Sequence, residues 1–210
     1  MKAAGLPLSL AQRPLRVLRP ADGTPAYAYP APEFARLARR GVLRRVATGY
    51  YVIVPADQVG EPGWRPELEA TALGIAAADY GVGDVALMGL SAARVHGAIP
   101  RALAVAVVAV PKQRPALSLL DRDAVVVFVR RAVDRLDLQR TTTSLGEGYV
   151  TTVEQTVLDL AARPELGGVP AEAGAATRAL LSRADRQLLE VLAGGQRRRS
   201  TLRRLLATET

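Results

Sequence analysis

Residues 30–55 read PAPEFARLARRGVLRRVATGYYVIVP, a helical pattern that passes directly into a hairpin pattern. Pro32 suits the first helical turn, Glu33 suits the positive end of the helix dipole, and Gly41 suits the position after the last helical residue. The apolar face has i, i+3, i+4 spacing and consists of Phe34, Leu37 and Ala38. This pattern predicts an amphipathic helix whose basic residues face away from the core.

Two strand-like runs follow, Val42–Val46 and Tyr50–Val54, and Thr48-Gly49 between them has the composition of a turn. Upstream, LSLAQRPLRVLRP predicts a short helix ended by Pro20, and DGTPAYAYP, residues 22–30, predicts a turn followed by an extended stretch. A helix followed by a hairpin with basic residues on its first strand is typical of the end of a winged helix. We therefore predict a winged helix-turn-helix domain over residues 1–60.

The segment 61–66 is rich in Pro and Gly and predicts a linker to a second domain, residues 67–210, with its own core. This second part has a helical pattern, then Val-rich strands, then helical patterns. The order predicts an α+β fold, in which a small β-sheet of a mixed α/β domain is packed by helices and a helical C-terminal tail follows.

Several local signals refine the second domain. Ser91 is predicted to cap a short helix over SAARVHG, and Thr152 with Gln155 has the pattern of a capping box. A glycine- and proline-containing loop is expected at 164–174. Two helices are then predicted, 175–193 and 197–207, separated at Gly194-Gly195.

Composition excludes several classes of site. The 210 residues include no cysteine and one histidine, His96, so disulfides, thiolate catalysis and cysteine-based zinc sites are excluded. No cofactor or metal is predicted. The start, MKAAGLPLSL, is interrupted by Pro7, and the longest apolar run, residues 102–110, is too short to span a bilayer. We expect a cytoplasmic protein with no membrane partner.

The net charge is +8, and residues 1–62 carry nine basic against four acidic residues. A basic balance indicates an acidic partner, with nucleic acid first, although an Arg-rich helix also has a basic solvated face without any partner. The clustering of five arginines within ten residues favours contacts to DNA phosphates. The predicted DNA-binding residues are Arg36, Arg39, Arg40, Arg44, Arg45 and Thr48.

A second basic cluster lies near the C-terminus and consists of Arg197, Arg198, Arg199, Arg203 and Arg204. It is open to three interpretations: a solvated helix, a further DNA contact or a surface for a protein partner. Leu202, Leu205 and Leu206 would dock one side of the helix and leave the arginines outward. We favour partner binding for these five arginines.

No catalytic residue is predicted. His96 sits on a short helix beside an apolar strand, where a lone histidine is usually a hydrogen-bonded structural residue. The hydroxyl-rich run RTTTSLGEGYVTT, residues 140–152, lacks the phosphate-loop and kinase patterns. The remaining carboxylates have no pairing that demands an acid/base or metal site; these are Asp121, Asp123, Asp134, Asp137 and Glu147.

The order of these features resembles the AbiEi-type antitoxins of bacterial toxin–antitoxin and abortive-infection systems. The resemblance rests on the helix–hairpin unit, GLSAARVHGAIP at 89–100, the Val-rich strand, VTTVEQTVLDLA at 150–161 and the Arg-rich tail, and it covers the chain from residue 32. It implies a winged helix that binds operator DNA of its own operon as an autorepressor. It also implies a C-terminal domain that neutralises a cognate nucleotidyltransferase-like toxin.

Three hypotheses from different classes follow. The first is a DNA-binding antitoxin and autorepressor. The second is an antitoxin enzyme that modifies its toxin by atypical phosphotransfer, which the hydroxyl-rich run would permit and an ATP-dependent mass gain on the toxin would reveal. The third is a protein-interaction module that has lost DNA binding, which the replacement of most of the second helix by YAYPAP, residues 27–32, favours.

Overall fold

The computed structural model describes residues 5–61 and 63–207. The described residues form two β-sheets and eight α-helices. None of these helices has both the length and the apolar character that crossing a membrane requires.

The unit around the first sheet contains the predicted helix and hairpin. Its elements are α1 (Leu8–Ala11), β1 (Val17–Leu18), α2 (Pro30–Arg39), β2 (Leu43–Ala47) and β3 (Tyr50–Ile53). The strands are antiparallel in the order β1-β3-β2. The prediction of α2, and of a hairpin that turns at Thr48-Gly49, is confirmed; Gly49 has the positive φ of +83° that such a turn needs.

The predicted N-terminal helix is wrong beyond its first turn. Helix α1 ends at Ala11, and Val17 and Leu18 instead pair with Val52 and Tyr51 of β3. Pro14 has no N–H to continue a helix. Residues Pro20–Gly23 then form a 3₁₀ turn that overlaps the start of the predicted turn.

A small core holds α2 on the sheet. Phe34 and Leu37 of α2 are fully buried, and they pack in one cluster with Leu18 of β1 and Tyr51 of β3. The rings of Phe34 and Tyr51 meet edge to face with centroids 5.4 Å apart, a favoured aromatic geometry. The helix is therefore fixed on the sheet by its apolar face, and its arginines lie outside the core.

The second sheet has six strands in the order β6-β7-β5-β4-β9-β8. Its strands are β4 (Ala86–Leu87), β5 (Val105–Val110), β6 (Leu117–Ser118), β7 (Val125–Arg130), β8 (Leu138–Thr143) and β9 (Gly146–Thr151). The helices around it are α3 (Leu68–Tyr80), α4 (Gly89–Val95), α5 (Val153–Ala162), α6 (Pro170–Leu181), α7 (Arg186–Gly195) and α8 (Arg199–Ala207). Pairs β5·β7 and β4·β9 are parallel, and the other neighbours are antiparallel.

Helices cover both faces of this sheet. Ala106 and Val108 of β5 belong to the cluster that contains α3, and Val107 and Ala109 belong to the cluster that contains α5 to α8. A strand that is apolar at every position, as VAVVAV is, buries both of its faces.

Three local predictions of caps and ends need correction. Helix α4 begins at Gly89, and the Ser91 hydroxyl accepts a hydrogen bond from the Val107 N–H at 2.8 Å instead of capping a helix. The predicted helix 175–193 is two helices, because Asp185 accepts hydrogen bonds from the first N–H groups of α7 and starts a new helix there. Helix α6 begins at Pro170, inside the predicted loop.

The two sheets are joined by a common core. Val17, Tyr50 and Val52 of the first sheet lie in one buried cluster with Leu68 and Leu73 of α3. The first part also has a cluster of its own around Phe34 and Leu37, so the two predicted domains each have a core and are joined by this shared cluster. The linker at 61–66 stays a prediction, and its Pro62 lies outside the described residues.

Candidate nucleic-acid interface

Four of the predicted DNA-binding arginines lie around one cleft of about 370 Å³. Arg39 is the last residue of α2 and Arg40 follows it, whereas Arg44 and Arg45 belong to β2. Only a short turn, in which Gly41 has a φ of +72°, separates the helix from the strand. The end of the helix and the start of the strand are therefore neighbours, and their arginines converge.

The cleft has a surplus of positive charge. Arg39, Arg40 and Arg45 are exposed, and Glu61 is the acidic residue that lines the same cleft. The side chain of Arg44 is 28% exposed, and its Nε lies 3.9 Å from Oδ2 of Asp121. The carboxyl end of α2 carries the negative end of the helix dipole, so an anion in this cleft would be held by the guanidinium groups and not by the helix end.

Arg36 and Thr48 lie elsewhere. Arg36 forms an ion pair with Glu33 one turn earlier on α2, with Nε 2.9 Å from Oε2, and this hydrogen bond raises the pKa of Arg36 and lowers the pKa of Glu33. Thr48 is exposed at the hairpin turn, and about 16 Å of strand separates it from Leu43, the first residue of β2. Neither residue lines the cleft.

Sequence analysis missed two contributors to this cleft. Trp64 and Gln58 line it beside the arginines; Trp64 comes from the predicted linker at 61–66, and Gln58 from the stretch between β3 and that linker. The signal was present, because Trp64 is the one tryptophan of the sequence and stands in an otherwise polar, Pro- and Gly-rich stretch. An aromatic ring beside guanidinium groups is also a common partner for a base or for arginine itself.

A partly buried carboxylate connects the first sheet to the rest of the chain. Asp79, near the end of α3, accepts hydrogen bonds from Arg19 Nη1 at 2.9 Å, from the Tyr50 hydroxyl at 2.7 Å and from Arg114. The Arg114 guanidinium also lies 4.2 Å from the centre of the Phe128 ring. No local sequence pattern indicates this group, because its members are distant along the chain.

Tyr50 makes this connection sensitive to alkaline pH. Burial, and then the hydrogen bond that Tyr50 donates to Asp79, raise the pKa of its phenol above the usual value. Because the phenol has a higher pKa in the folded state than in the unfolded state, it stabilises the fold at pH values below its unfolded pKa of about 10. This stabilisation is lost as the pH rises through the folded pKa. Tyr50→Phe should therefore be less stable than the wild type by about 1 kcal/mol at pH 8. In urea unfolding this difference should shrink above pH 10, and a constant difference would contradict the assignment.

The residues that were considered for chemistry have structural partners. Nε2 of His96 lies 2.7 Å from the backbone oxygen of Thr151, in keeping with a structural role. No group of three or more His, Asp or Glu within residues 5–61 and 63–207 could hold a metal ion.

The threonines of the hydroxyl-rich run, Thr141 to Thr143, line a cleft of about 730 Å³ that also contains arginines. Two of those arginines have protein partners, because Arg94 binds Glu69 at 2.6 Å and Arg122 donates to the backbone oxygen of Pro66 at 2.5 Å. A phosphate in this cleft would compete with those partners.

The C-terminal arginines do not form one surface. Arg198 is directed inward, with Nη1 2.7 Å from Oδ1 of Asp159 and a side chain that is 16% exposed, so the expectation that it points outward is wrong. Arg199 lies against Gly194, and Arg204 lines a separate cleft with Arg178. Arg197 and Arg203 are exposed.

No protein-family model matches the chain, and no curated protein matches it.

Proposed function

We propose that this chain is an AbiEi-type antitoxin that binds operator DNA of its own operon and neutralises a nucleotidyltransferase-like toxin. The observation that carries the DNA-binding part is the convergence of four arginines around the cleft between α2 and β2. We call this group, Arg39, Arg40, Arg44 and Arg45, the arginine cleft.

The order of elements supports a winged helix in the first part of the chain. Helix α1, strand β1, the 3₁₀ turn at Pro20–Gly23, helix α2 and the β2–β3 hairpin follow one another, and the sheet order is β1-β3-β2. In such an arrangement α2 takes the position of the recognition helix and the hairpin that of the wing. The 3₁₀ turn then stands in place of the second helix.

The proposed contacts follow from arginine chemistry. The guanidinium fork pairs with two oxygens of a phosphate or with the O6 and N7 atoms of guanine. Helix α2 presents Arg36 and Arg39 on its exposed side, and Arg40 follows directly after it. A helix with its side chains is about 10–12 Å across, which fits a major groove about 12 Å wide. The arginine cleft would bind the phosphate backbone next to it and position the helix.

One observation favours the alternative, a protein-interaction module without DNA binding. The backbone N–H of Leu120 donates to the Val46 oxygen at 2.8 Å, and Asp121 approaches Arg44, so part of the outer edge of β2 is covered by the second sheet's loop. This contact restricts the approach of a duplex to β2. The two hypotheses differ in one testable property. Only the DNA-binding antitoxin requires that the chain shift the mobility of operon DNA in a salt-dependent way.

A reporter experiment tests the proposal in cells. The DNA upstream of the chain's own operon is fused to a reporter, and the chain is expected to lower reporter output, whereas a promoter from elsewhere is unaffected. In parallel, co-expression with the nucleotidyltransferase-like protein of the same operon should restore growth. Unchanged reporter output would contradict the autorepressor, and unchanged toxicity would contradict the antitoxin.

A further inference from the structure

A second basic cleft, of about 900 Å³, lies between the segment after β7 and the carboxyl end of α7. Four arginines line it, Arg131, Arg135, Arg197 and Arg198, and no acidic residue is among its lining residues in the described chain. We call these four residues and the space between them the α7 cleft.

The charge behind this cleft is not balanced. Asp159 of α5 has a side chain that is 1% exposed, and its Oδ1 accepts hydrogen bonds from Arg198 at 2.7 Å and from Arg131 at 3.3 Å. One carboxylate thus serves two guanidinium groups, and Arg135 and Arg197 add two more positive charges at the cleft. Burial, together with the nearby charges of Arg198 and Arg163, lowers the pKa of Arg131. A further anion would relieve this excess.

The end of α7 brings Arg197 to the cleft. Its φ is +57°, a left-handed conformation that is unfavourable for an L-residue and that glycine adopts freely. The chain has glycine at 194 and 195, yet an arginine occupies the strained position. This residue follows the last residues of α7 and ends the helix, with the Arg198 N–H bonded to the Ala193 oxygen at 2.7 Å, and the same end places the Arg197 side chain at the cleft.

The rim of the cleft favours a protein over a nucleic acid. Val191 is 64% exposed at the cleft, and Leu192 and Leu136 also line it. Arginine beside exposed apolar side chains is typical of a protein interface, whereas a phosphate backbone would make no favourable contact with the valine. We infer that the α7 cleft binds an acidic segment of a protein partner, with carboxylates on its arginines and an apolar side chain against Val191.

This inference rests on the partner-binding part of the proposed function and gives it a location. The α7 cleft differs from the partner-binding surface that the sequence predicted, because it includes Arg131 and Arg135 and leaves out Arg199, Arg203 and Arg204. Arg198 keeps a role, since it both binds Asp159 and lines the cleft.

Peptide binding to the full-length chain tests the inference. The probe is a fluorescently labelled dodecapeptide of glutamates with one central leucine, and the comparison peptide has lysines in place of the glutamates. The glutamate peptide should bind and the lysine peptide should not. Arg135→Glu should weaken glutamate-peptide binding at least tenfold, and Arg197→Gly should weaken it several-fold.

Two controls make the result specific. Arg203→Glu makes the same charge change on an exposed residue outside the cleft, and its effect on the peptide should stay within twofold. Arg197→Gly removes the strained arginine, so its melting temperature should not fall, which separates a loss of binding from a loss of folding.

Unchanged binding in both cleft variants, or an equal loss in Arg203→Glu, would overturn the inference. It would also be overturned if an oligothymidylate of equal charge displaced the peptide and lost affinity in the same two variants, because the cleft would then be a nucleic-acid site. The proposal that the chain neutralises a toxin is tested separately, by whether co-expression restores growth. Peptide binding at the cleft with rescue unaffected by Arg135→Glu would retain the acidic-segment site and exclude the toxin as its occupant.

Discussion

Replacing all four residues of the arginine cleft by alanine should weaken binding to operator DNA by roughly 1,000-fold, since removing each phosphate contact costs about 1 kcal/mol. Arg39, Arg40 and Arg45 are exposed, so the fold should tolerate their replacement. Fluorescence anisotropy with a labelled duplex from upstream of the operon measures the change.

A matched control removes four positive charges elsewhere on the surface. Lys112, Arg130, Arg140 and Arg203 are all exposed and line neither the arginine cleft nor the α7 cleft. Their quadruple alanine variant has the same net charge as the cleft variant. If the two variants lost equal affinity, binding would depend on net charge alone and the recognition surface would have to be abandoned.

The fragment of residues 67–210 should not fold by itself. Six residues of the first sheet and the segment before it share the buried cluster with α3: Leu15, Val17, Val46, Ala47, Tyr50 and Val52. Without these residues, the apolar side chains of α3 that share the cluster with them, Leu68 and Leu73 among them, would be exposed to water. Burial of each such side chain contributes about 1.5–3 kcal/mol, so their exposure would remove a large part of a domain stability of about 5–15 kcal/mol. Circular dichroism of the fragment should show no cooperative thermal transition, and a transition like that of the full chain would contradict the shared core.

A single substitution probes the same packing in the full chain. A Cβ added to Gly74 of α3 would lie 2.3 Å from Cγ2 of Val17, so Gly74→Ala must push β1 away from the helix. Such overpacking costs about 1–3 kcal/mol, which the better helix propensity of alanine, about 1 kcal/mol, offsets in part. A Cβ on Gly83 meets no atom within 4 Å among the described residues, so Gly83→Ala is the control and should leave the urea midpoint unchanged.

Sequence was most informative where structure is local. Helix α2 has its apolar spacing and end signals within twelve residues, and the hairpin has its turn between two β-branched runs, so both could be predicted. Strand β1 has only two residues and no periodicity of its own, and it exists because β3 offers a partner. The second layer of helices could have been predicted from the continuous apolar pattern of β5, which was interpreted only as a strand.

The same distinction holds for the candidate sites. Four arginines of the DNA-binding prediction converge because a short turn joins their helix and strand. Arg198 turns inward because it binds Asp159, which lies 39 residues earlier, and no local pattern reveals a contact at that separation. Asp79 likewise connects to Arg19 across 60 residues, and Arg131, which lines the α7 cleft, binds Asp159 of α5 across 28 residues.

The most direct test of the account is the salt dependence of DNA binding by the wild-type chain. With a duplex from upstream of its own operon, the logarithm of the association constant is plotted against the logarithm of salt concentration. Four phosphate contacts at about 0.9 each predict a slope of about −3.6 or steeper. A slope near zero, or no binding at low salt, would contradict the proposal that the arginine cleft holds DNA.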